Sequence, residues 1–440
     1  MKAMTRKRAE EVLSIAVQHG DADEVYAVLR SADGSAFPVT NNSVGLPQFT
    51  TDASVQLSVR VGKRYMTVQT NDLTPDGLRA ALDRAVEQAR QMPPSEEAYD
   101  FPGPAEQLSP PLVDAAFDDV NAGLDPLLLA ELRERALSAG MRLTGSATAT
   151  RSSLAVASSS GLFMHQESTL FHGRFRVYSD DGWSTSLGEH YASSPQHDAL
   201  LAAVDTAIAK CRAWADPVAL QPSRLTTVFE PRALAGMLQH LLPQFSARAI
   251  ENDQSFLRRL DGSSFVGSKL FDERISLHSD PMSASLPSMP FTADGLPVRE
   301  TTWVRNGVIE SVTRDRFSGA PALASPTNLL MQGGSATPEE LIGGVDRGLL
   351  VSGFANLTVI DPKNCLLTGS TRDGLFLIEN GAITRGVRNL LVRETPVYVF
   401  KEVEEMSPAE RTSPSESYFP MLLPHIRVKD VLYGAPTGMI

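Results

Sequence analysis

The residue types that could bind a metal ion occur in two groups. Glu189, His190 and His197 lie close together in the sequence, and His165 and His172 form a second group. A metal site needs side chains that converge and that are held in place by further hydrogen bonds. His165 and His172 flank a strand-like stretch, where their odd spacing places them on opposite faces. Glu189 and His190 are neighbours and also diverge, so we expect surface or hydrogen-bonded histidines here.

Candidates for a nucleophile are weaker. The serines at 158–160, 283 and 285 lie outside any G-x-S-x-G pattern, which would place a serine on a sharp strand-to-helix turn. Cys211 falls on an amphipathic helical pattern and is expected to be a core or boundary thiol. Cys365 follows a Pro-Lys-Asn turn and could be partly exposed, but no histidine is placed to activate it. Both cysteines are therefore interpreted as structural.

The composition limits the class of protein. A chain of 440 residues exceeds what one hydrophobic core usually supports, so two or three domains are expected. With 42% hydrophobic and 21% charged residues the chain is typical of a globular protein. The net charge is -12, so the chain lacks the basic excess that binding to phosphate groups needs. This argues against a nucleic-acid partner.

The expected compartment is the cytoplasm. Two cysteines cannot form a disulfide framework and suit a reducing environment. The basic N-terminus runs into a charged amphipathic segment without the apolar region of a secretory signal. No stretch approaches the ~18 uninterrupted apolar residues of a membrane span, so we expect no membrane partner.

Helical and strand patterns alternate in the N-terminal half. Strand patterns cover 24–29, two segments within 53–69 that are separated by a Gly62-Lys63 turn, and short stretches between 141 and 191. Helical patterns run from Ala9 to His19, from the Thr74-Pro75 cap to Ala89, from Asp125-Pro126 to Ala139, and from Asp198 to Trp214. The proline-rich stretch 93–111 is interpreted as a connector. We therefore predict an N-terminal α+β domain over 1–110 and a middle α+β segment over 111–222.

The C-terminal part, 223–440, predicts a β-rich domain. Asn306-Gly307 and Asn380-Gly381 each lie between apolar arms, which indicates hairpins because a type I′ turn needs positive φ at both central residues. Thr337 begins a capping box, which predicts one helix. The charged stretch 401–417 predicts a mobile surface loop. The fold class is α+β, with helices on a mainly antiparallel sheet followed by a β-rich domain.

A series of short motifs runs along the chain in a fixed order. In the first half they are G-D-A-D-E-V at 20–25, T-N-N at 40–42 and V-Q-T-N-D-L at 68–73. In the second half they are P-F-T-A-D-G-L-P at 290–297, R-G-L-L-V at 347–351, and T-G, R-D-G and I-E-N-G within 368–381. In order and spacing they resemble the TldD/PmbA family of peptide-processing metalloproteases (peptidase U62, "modulator of DNA gyrase").

The resemblance implies an arrangement of subunits as well as the α+β fold. In this family a zinc-containing TldD-type subunit pairs with a PmbA (TldE)-type subunit that lacks the metal motif. The pair encloses a cavity in which unfolded peptides are cleaved. In active members one helix carries His-Glu-x-x-x-His, which supplies two zinc ligands and the catalytic glutamate, and a C-terminal cysteine is the third ligand.

The corresponding segment of this chain is L-Q-H-L-L-P-Q-F at 238–245. Aligned without gaps, Gln239 stands at the first histidine, His240 at the glutamate and Gln244 at the second histidine. A catalytic zinc needs about three protein ligands and an open position for water. These residues predict neither a metal site nor a catalytic residue. We expect Gln239, His240 and Gln244 to line a peptide cavity.

A shifted alignment fails as well. With His240 as the first ligand, Leu241 replaces the glutamate and Phe245 the second histidine. Pro243 is expected to distort the helix at this point. The sequence contains no cysteine after Cys365 that could be the third ligand.

Three functional hypotheses follow. The first is a non-catalytic PmbA/TldE-like subunit without a cofactor of its own, with zinc in a TldD-type partner and an unfolded peptide as substrate. An exposed strand edge in the β-rich half could then hold the peptide. The second is a diverged metallopeptidase with a relocated active site. The third is a homodimeric peptide-binding protein without proteolysis, and the sequence alone does not choose between a heterodimer and a homodimer.

Overall fold

A mainly antiparallel sheet forms the N-terminal half of the protein. The computed structural model describes residues 3–18, 21–97, 99–117, 126–180, 182, 184–316, 321–414 and 418–437. Seven strands of these residues form the sheet in the order β4-β3-β1-β5-β6-β7, with β2 on β1 and every neighbouring pair antiparallel. The strands are β1 (Glu24–Thr40), β2 (Ser43–Val44), β3 (Gln48–Val61), β4 (Arg64–Thr70), β5 (Arg142–Ser158), β6 (Phe163–Tyr178) and β7 (Thr185–Ala192).

Four helices cover the two ends of this sheet. They are α1 (Arg6–Ala16), α2 (Pro75–Gln91), α3 (Pro126–Ser138) and α4 (His197–Ala213). The apolar stripes of α1 and α2 share one core with residues of β1 and β3, and those of α3 and α4 share another with β5 and β6. The four predicted helices are therefore confirmed, with Thr74 accepting the cap hydrogen bond from the Gly77 amide. The predicted ends at His19 and Asp125 lie outside the described residues.

One sheet spans the first two segments that the sequence predicts. β1, from the segment 1–110, pairs on one side with β3 and on the other with β5, from the segment 111–222. The register with β5 runs without a break from Tyr26–Ser158 to Val39–Gly145. The connector 93–111 thus joins two parts of a single layer, and the prolines within it mark no separation in space.

The C-terminal half is built on a larger, mixed sheet. Thirteen strands of the described residues form it, with the main order β11-β10-β9-β12-β20-β8-β13-β16-β17. The pairs β12–β20 and β8–β13 are parallel. The strands are β8 (Ser223–Phe229), β9 (Leu277–Ser279), β10 (Thr301–Arg305), β11 (Val308–Ile309), β12 (Leu329–Met331), β13 (Arg347–Val351), β14 (Phe354–Asp361), β15 (Leu366–Thr371), β16 (Leu375–Glu379), β17 (Ala382–Gly386), β18 (Leu390–Glu394), β19 (Val403–Thr412) and β20 (Met421–Pro436).

The helices of this half are short. They are α5 (Pro231–Leu241), α6 (Ala247–Glu251), α7 (Pro338–Gly343) and α8 (Pro396–Lys401). The predicted capping box begins α7: Thr337 accepts from the Glu340 amide, and the Glu340 carboxylate accepts from the Thr337 amide. The fold class is α+β with a β-rich C-terminal domain, as the sequence predicts. No helix in the described residues is long and apolar enough to cross a membrane.

Both predicted Asn-Gly hairpins are confirmed. Asn306 and Gly307 connect β10 to β11 with φ of 48° and 79°. Asn380 and Gly381 connect β16 to β17 with φ of 52° and 76°. Left-handed conformations at both central residues fit the right-handed twist of the flanking strands.

The predicted mobile loop over 401–417 is wrong for most of its length. Residues 403–412 form β19, which pairs with β20. The charges that suggested a loop are paired with the neighbouring strand: Glu404 accepts from Arg427 at 3.1 Å and from Lys429 at 3.0 Å. Residues 415–417 lie outside the described residues.

Gly307 provides a test of the β10–β11 hairpin. A Cβ at this position would lie 2.2 Å from the Phe271 carbonyl oxygen, whereas nothing lies within 4 Å of a Cβ at Gly267, which also has a positive φ. We expect Gly307→Ala to lower the melting temperature clearly more than Gly267→Ala, whose cost is only the left-handed strain of about 1–2 kcal/mol. Equal melting temperatures for the two variants, measured by calorimetry, would contradict the tight packing of this turn.

Candidate functional site

The strand–helix unit β8–α5 lies where the family resemblance expects metal ligands. Glu230 precedes the helix and Pro231 occupies its first turn. Proline is well tolerated there because an amide hydrogen at this position would have no acceptor within the helix. The face of α5 that meets the core is almost entirely apolar, and Ala233, Leu234 and Leu238 are fully buried. The helix is therefore held by packing, and its polar residues Gln239 and His240 fall at its C-terminal end.

Gln244 lies beyond the end of α5. The α-helix stops at Leu241, and Leu242–Gln244 form a 3-10 turn that contains Pro243, as the proline predicts. Oriented to satisfy its hydrogen bonds, the buried Gln244 amide donates to the carbonyl oxygens of Gln254 at 2.8 Å and Pro362 at 3.1 Å. This side chain therefore binds two neighbouring loops to the helix end.

Gln239 and His240 are half-buried neighbours. Their Nε2 atoms are 3.5 Å apart. A cavity of about 160 Å³ occurs in this half of the protein, but its walls are formed by other residues, among them Ser279, Val298 and Leu323. That Gln239 and His240 line a peptide cavity remains a prediction. Gln244 has a structural role that the sequence did not indicate.

Cys365 lies behind α5 and is buried, not partly exposed as its sequence context suggested. Its Sγ is 4.0 Å from the His240 carbonyl oxygen, and its backbone is left-handed with φ of 48°. Burial raises the pKa of the thiol to about 12. The thiolate, which is the form that binds zinc, is therefore strongly disfavoured near neutral pH.

The histidines considered from the sequence have hydrogen-bond partners, as expected. His165 Nε2 is 2.9 Å from the Met4 carbonyl oxygen, and His190 Nε2 is 3.0 Å from Gln196. His172 Nε2 is 2.8 Å from the Glu189 carboxylate. In the described ranges, no group of three or more His, Cys, Asp or Glu side chains is arranged to hold a metal ion.

A cluster of charged residues lies where the two halves meet, and we call it the interdomain seam. One face of β6 and β7 contributes His172, Arg174, Arg176 and Glu189, and the C-terminal half contributes Glu230, Arg232, Arg372, Asp373 and His425. The β6 residues alternate in sequence, so they share one face of the strand. The other face packs on α4 through Phe171, Phe175 and Val177.

Arg176 and Asp373 form the centre of the seam. Arg176 donates two hydrogen bonds of 2.8 Å to the carboxylate of Asp373, whose side chain is 1% exposed. Burial alone would raise the pKa of Asp373, but the hydrogen bonds and charge of Arg176, with Arg232 and Arg372 nearby, lower it. This carboxylate therefore stays ionised and joins a strand of the N-terminal half to the β15–β16 turn.

A second charged pair joins α4 to the start of α5. Lys210 Nζ lies 2.6 Å from both carboxylate oxygens of Glu230. Burial opposes ionisation of Glu230, but Lys210 lowers its pKa below the usual range. His425 from β20 interacts electrostatically with this pair. Burial lowers the pKa of His425, although the charge of Glu230 acts to raise it. His425 is therefore neutral near pH 7.

The remaining arginines of the seam are incompletely paired. Arg174 lies 3.9 Å from Glu189, whose carboxylate also accepts from His172. The Nε atoms of Arg232 and Arg372 are buried and have no hydrogen-bond partner. Burial lowers the pKa of Arg174, and the like charges of Arg176 and Arg232 act in the same direction. Groups with shifted pKa values that gather in one place are typical of functional sites.

Sequence reasoning missed this cluster. The signal that could have revealed half of it is the alternation of His172, Arg174 and Arg176 along one strand, which places three cationic or titratable side chains on one face. The C-terminal members lie on separate turns and strands, and only the tertiary structure brings them to that face.

Residues 222–434 match the family described as PmbA/TldA metallopeptidase C-terminal domain. A curated relative, the metalloprotease PmbA homolog of Haemophilus influenzae, is 22% identical over 417 residues, which cover 88% of this chain and 87% of the relative. The chain is thus similar to the TldD/PmbA family, in its C-terminal half by the family match and over most of its length by the curated relative.

Solved structures share the fold over nearly the whole chain. TldE from Thermococcus kodakarensis superposes with a TM-score of 0.81 at 19% identity, covering 94% of this chain and 97% of that one. A putative modulator of DNA gyrase from Bacteroides thetaiotaomicron superposes with a TM-score of 0.79 at 18% identity, covering 97% and 98%. At these identities the likeness concerns the fold.

The residues that the resemblance aligns with metal positions, Gln239, His240 and Gln244, do not fit a zinc site of that family's type, and the nearby Cys365 does not supply a ligand. The Gln244 amide donates to two carbonyl oxygens. These hydrogen bonds would have to break for a side chain at this position to bind zinc. His240 has the glutamine side chain of Gln239 beside it in place of a second imidazole. The thiol of Cys365 is protonated and packed against the helix backbone.

Removal of the central carboxylate tests the seam. Asp373→Asn leaves the half-buried Arg176 and Arg372 without their counter-charge, so we expect the free energy of unfolding to fall by about 3–5 kcal/mol. Glu310→Gln is the matched control because it breaks an exposed Arg305 pair of 2.6 Å, worth at most about 1 kcal/mol. Urea denaturation followed by tryptophan fluorescence measures both. A loss for Asp373→Asn no larger than the control's would show that the pair does not join the two halves.

The two thiols provide an independent check of burial. Cys211 and Cys365 are both buried, and the raised pKa of Cys365 keeps it protonated at pH 8. We expect no thiol to react with a chromogenic disulfide reagent in the native protein within minutes, and both to react in denaturant. One thiol titrating rapidly under native conditions would contradict the position of Cys365.

Proposed function

We propose that this chain is a non-catalytic, PmbA/TldE-like subunit of a TldD-type metallopeptidase complex. It contributes to binding unfolded peptides that are cleaved or matured, and the zinc and the catalytic glutamate belong to the TldD-type subunit. The expected compartment is the cytoplasm, in agreement with two free cysteines. The net charge of -12 argues against a nucleic-acid partner.

The observation that carries the proposal is the state of Gln244. A position that would present a zinc ligand instead holds a buried amide with two hydrogen bonds to backbone carbonyls. Such bonds stabilise the loops around the helix end, and replacing the side chain would leave buried carbonyl groups unsatisfied at a cost of about 1–3 kcal/mol. The two loops beside the end of α5 are thus held by hydrogen bonds from Gln244.

Peptide binding is supported by the position of the polar groups. Gln239 and His240 remain half-buried at the end of α5, where their side chains can offer donors and acceptors to a peptide. The seam adds half-buried arginines on the N-terminal side of the same helix, where Arg232 donates to the Leu187 carbonyl oxygen at 3.0 Å. Binding sites commonly occur where two domains meet.

Co-expression with a TldD-type protein that carries an intact His-Glu-x-x-x-His helix tests the proposal. We expect a 1:1 complex by native mass spectrometry, zinc in the TldD-type subunit only, and peptidase activity that a chelator abolishes. This chain purified alone should contain no stoichiometric zinc and should not cleave unfolded peptides. Zinc in the isolated chain together with chelator-sensitive cleavage would favour the relocated active site, and failure to form the complex would contradict the subunit role.

Variants of the helix end separate binding from stability. Gln239→Ala and His240→Ala in the complex are expected to raise KM for an unfolded peptide roughly threefold to tenfold, the loss of one neutral hydrogen bond each, with kcat little changed. Thr206→Ala, on the exposed side of α4, is the matched control. Unchanged KM in both variants would remove these two residues from the peptide site.

A further inference from the structure

The first turn of α5 lies at the carboxyl end of two parallel strands. β8 and β13 pair in parallel as far as Phe229 and Val351. The Glu230 amide, one residue further along, donates to the Val351 carbonyl oxygen at 3.0 Å. In open sheets with parallel strands, ligands bind outside such carboxyl ends. The seam covers this end of the C-terminal sheet, so we searched it for groups that a ligand would satisfy.

The start of α5 offers main-chain donors. No side chain in the described part of the protein caps this 11-residue helix. Pro231 has no amide hydrogen, and the Leu234 amide donates to the Glu230 carbonyl oxygen at 3.2 Å. The amides of Arg232 and Ala233 therefore belong to the part of the helix whose acceptors must come from outside it. A helix start of this kind favours an anion, because its amides and the helix dipole carry partial positive charge.

A buried hydroxyl lies beside this helix start. Ser352 directly follows Val351 and is fully buried, and its Oγ has no hydrogen-bond partner among the described residues. Because side chains alternate along a strand, Ser352 shares the face of Leu350, which packs on Trp214 of the N-terminal half. A Cβ at Gly374 would lie 2.7 Å from the Ser352 Oγ. The unpaired hydroxyl therefore lies on the side of the sheet that meets the seam.

A closed series of contacts connects this hydroxyl with the start of α5, and we call its members the seam ring. They are Arg176, Leu187, Glu230, Arg232, Val351, Ser352, Asp373 and Gly374. The Arg232 guanidinium donates to the Leu187 carbonyl oxygen, and Leu187 lies opposite Arg176 in the β6–β7 pair. Arg176 binds Asp373, and the next residue, Gly374, accepts from the Ser352 amide at 3.0 Å. The contact from Glu230 to Val351 closes the ring, so these groups surround one small region.

Arginine side chains bring further unused donors to the seam ring. The Nε atoms of Arg232 and Arg372 are buried and have no partner within the described ranges. The Arg372 Nε is 4.0 Å from the Asp373 carboxylate, which is beyond hydrogen-bond distance. At the edge of the cluster, Arg174 lies 3.9 Å from Glu189, and its side chain is 30% exposed. The region thus holds more donors than acceptors, and its edge is in contact with solvent.

The charges of this region are not balanced. Five cations (Arg174, Arg176, Arg232, Arg372 and Lys210) accompany three carboxylates (Glu189, Glu230 and Asp373), which leaves two positive charges in excess. A phosphate group carries a charge of about -1.5 to -2 near pH 7 and has several strong acceptor oxygens. A carboxylate carries one charge and two oxygens. Phosphate is therefore the better match to both the excess charge and the number of donors.

We propose that the seam ring binds one phosphate group. Its oxygens accept from the amides at the start of α5, from the Ser352 hydroxyl and from the Nε–H groups of Arg232 and Arg372. The group belongs to inorganic phosphate or to a phosphate monoester. The site is local, so it agrees with an acidic chain that lacks the extended basic surface of a nucleic-acid-binding protein.

This inference goes beyond the proposed function and does not depend on it. All the groups of the seam ring belong to this chain. A chain that fails to pair with a TldD-type subunit would still bind phosphate, and a chain that pairs normally but binds no phosphate would contradict only this inference.

Isothermal titration calorimetry of the full chain with sodium phosphate, at constant ionic strength, tests the site. We expect one site with a Kd of about 1 mM or tighter. Ser352→Ala removes one donor to a charged ligand, so we expect it to weaken binding roughly tenfold or more. Without phosphate the same variant should be at least as stable as the wild type, since an unpaired buried hydroxyl is removed. A purely structural serine would show the opposite pattern.

Ser186→Ala is the matched control. Ser186 is also fully buried with an unpaired Oγ, but it lies opposite Val177 on the face of the N-terminal sheet that packs on α4. We expect this variant to bind phosphate like the wild type. Phosphate also stabilises proteins by exclusion from their surface. That general effect raises the melting temperatures of both serine variants alike, so the difference between them reports the site.

A second variant tests the arginines. Arg372→Gln removes a cation and a donor, and we expect it to weaken phosphate binding roughly tenfold or more. Arg305→Gln breaks an exposed pair with Glu310 and should leave the affinity unchanged. Circular dichroism checks that each variant is folded.

The outcomes decide the proposal. It is overturned if phosphate produces no binding heat, or if Ser352→Ala and Ser186→Ala bind phosphate equally well. Acetate that binds more tightly than phosphate would overturn the choice of phosphate. Phenyl phosphate distinguishes the two sources of the group. Binding that depends on Ser352 supports a phosphate monoester as the ligand, and exclusion of phenyl phosphate while phosphate binds supports the inorganic ion.

Discussion

The ion pair between Arg176 and Asp373 is the interaction on which the relation of the two halves depends. A buried carboxylate is costly unless a cation with matching geometry accompanies it. The planar guanidinium of Arg176 supplies two parallel hydrogen bonds to Asp373, and the pair lies between a strand of the N-terminal sheet and the β15–β16 turn. Each half positions one member, so both halves must be correctly folded before either charge is satisfied. Lys210 and Glu230 repeat this arrangement between α4 and α5.

The position of the C-terminal end of α5 is fixed by interactions of a different kind. The helix itself is fixed by apolar packing, and its C-terminal end is fixed by backbone contacts of Gln244 and Cys365. A catalytic zinc centre needs an open position and ionised ligands, which are expensive to hold in place. Here the same location is closed by neutral hydrogen bonds. Gln244, which the resemblance aligns with a zinc ligand, therefore has a structural use at this end of the helix.

Features that depend on local chemistry could be predicted from the sequence. The Asn306-Gly307 turn, the Thr337 capping box and the Pro243 helix end each follow from the conformations that a few neighbouring residues allow. The strand β19 could not be predicted, because Glu404 looks solvated until Arg427 and Lys429 are known to lie across from it. The burial of Cys365 and the role of Gln244 were missed because only the tertiary structure brings Cys365 to the His240 carbonyl and Gln244 to the Pro362 carbonyl.

The distribution of charge connects the seam with the acidic surface. The seam and the adjacent Lys210 include five cations (Arg174, Arg176, Arg232, Arg372 and Lys210) and three carboxylates (Glu189, Glu230 and Asp373), while the whole chain has a net charge of -12. Cations are thus in excess among these groups, although the chain as a whole is acidic. Because charge interactions strengthen as water is excluded, these cations hold the carboxylates of Glu230 and Asp373 in their ionised form despite burial.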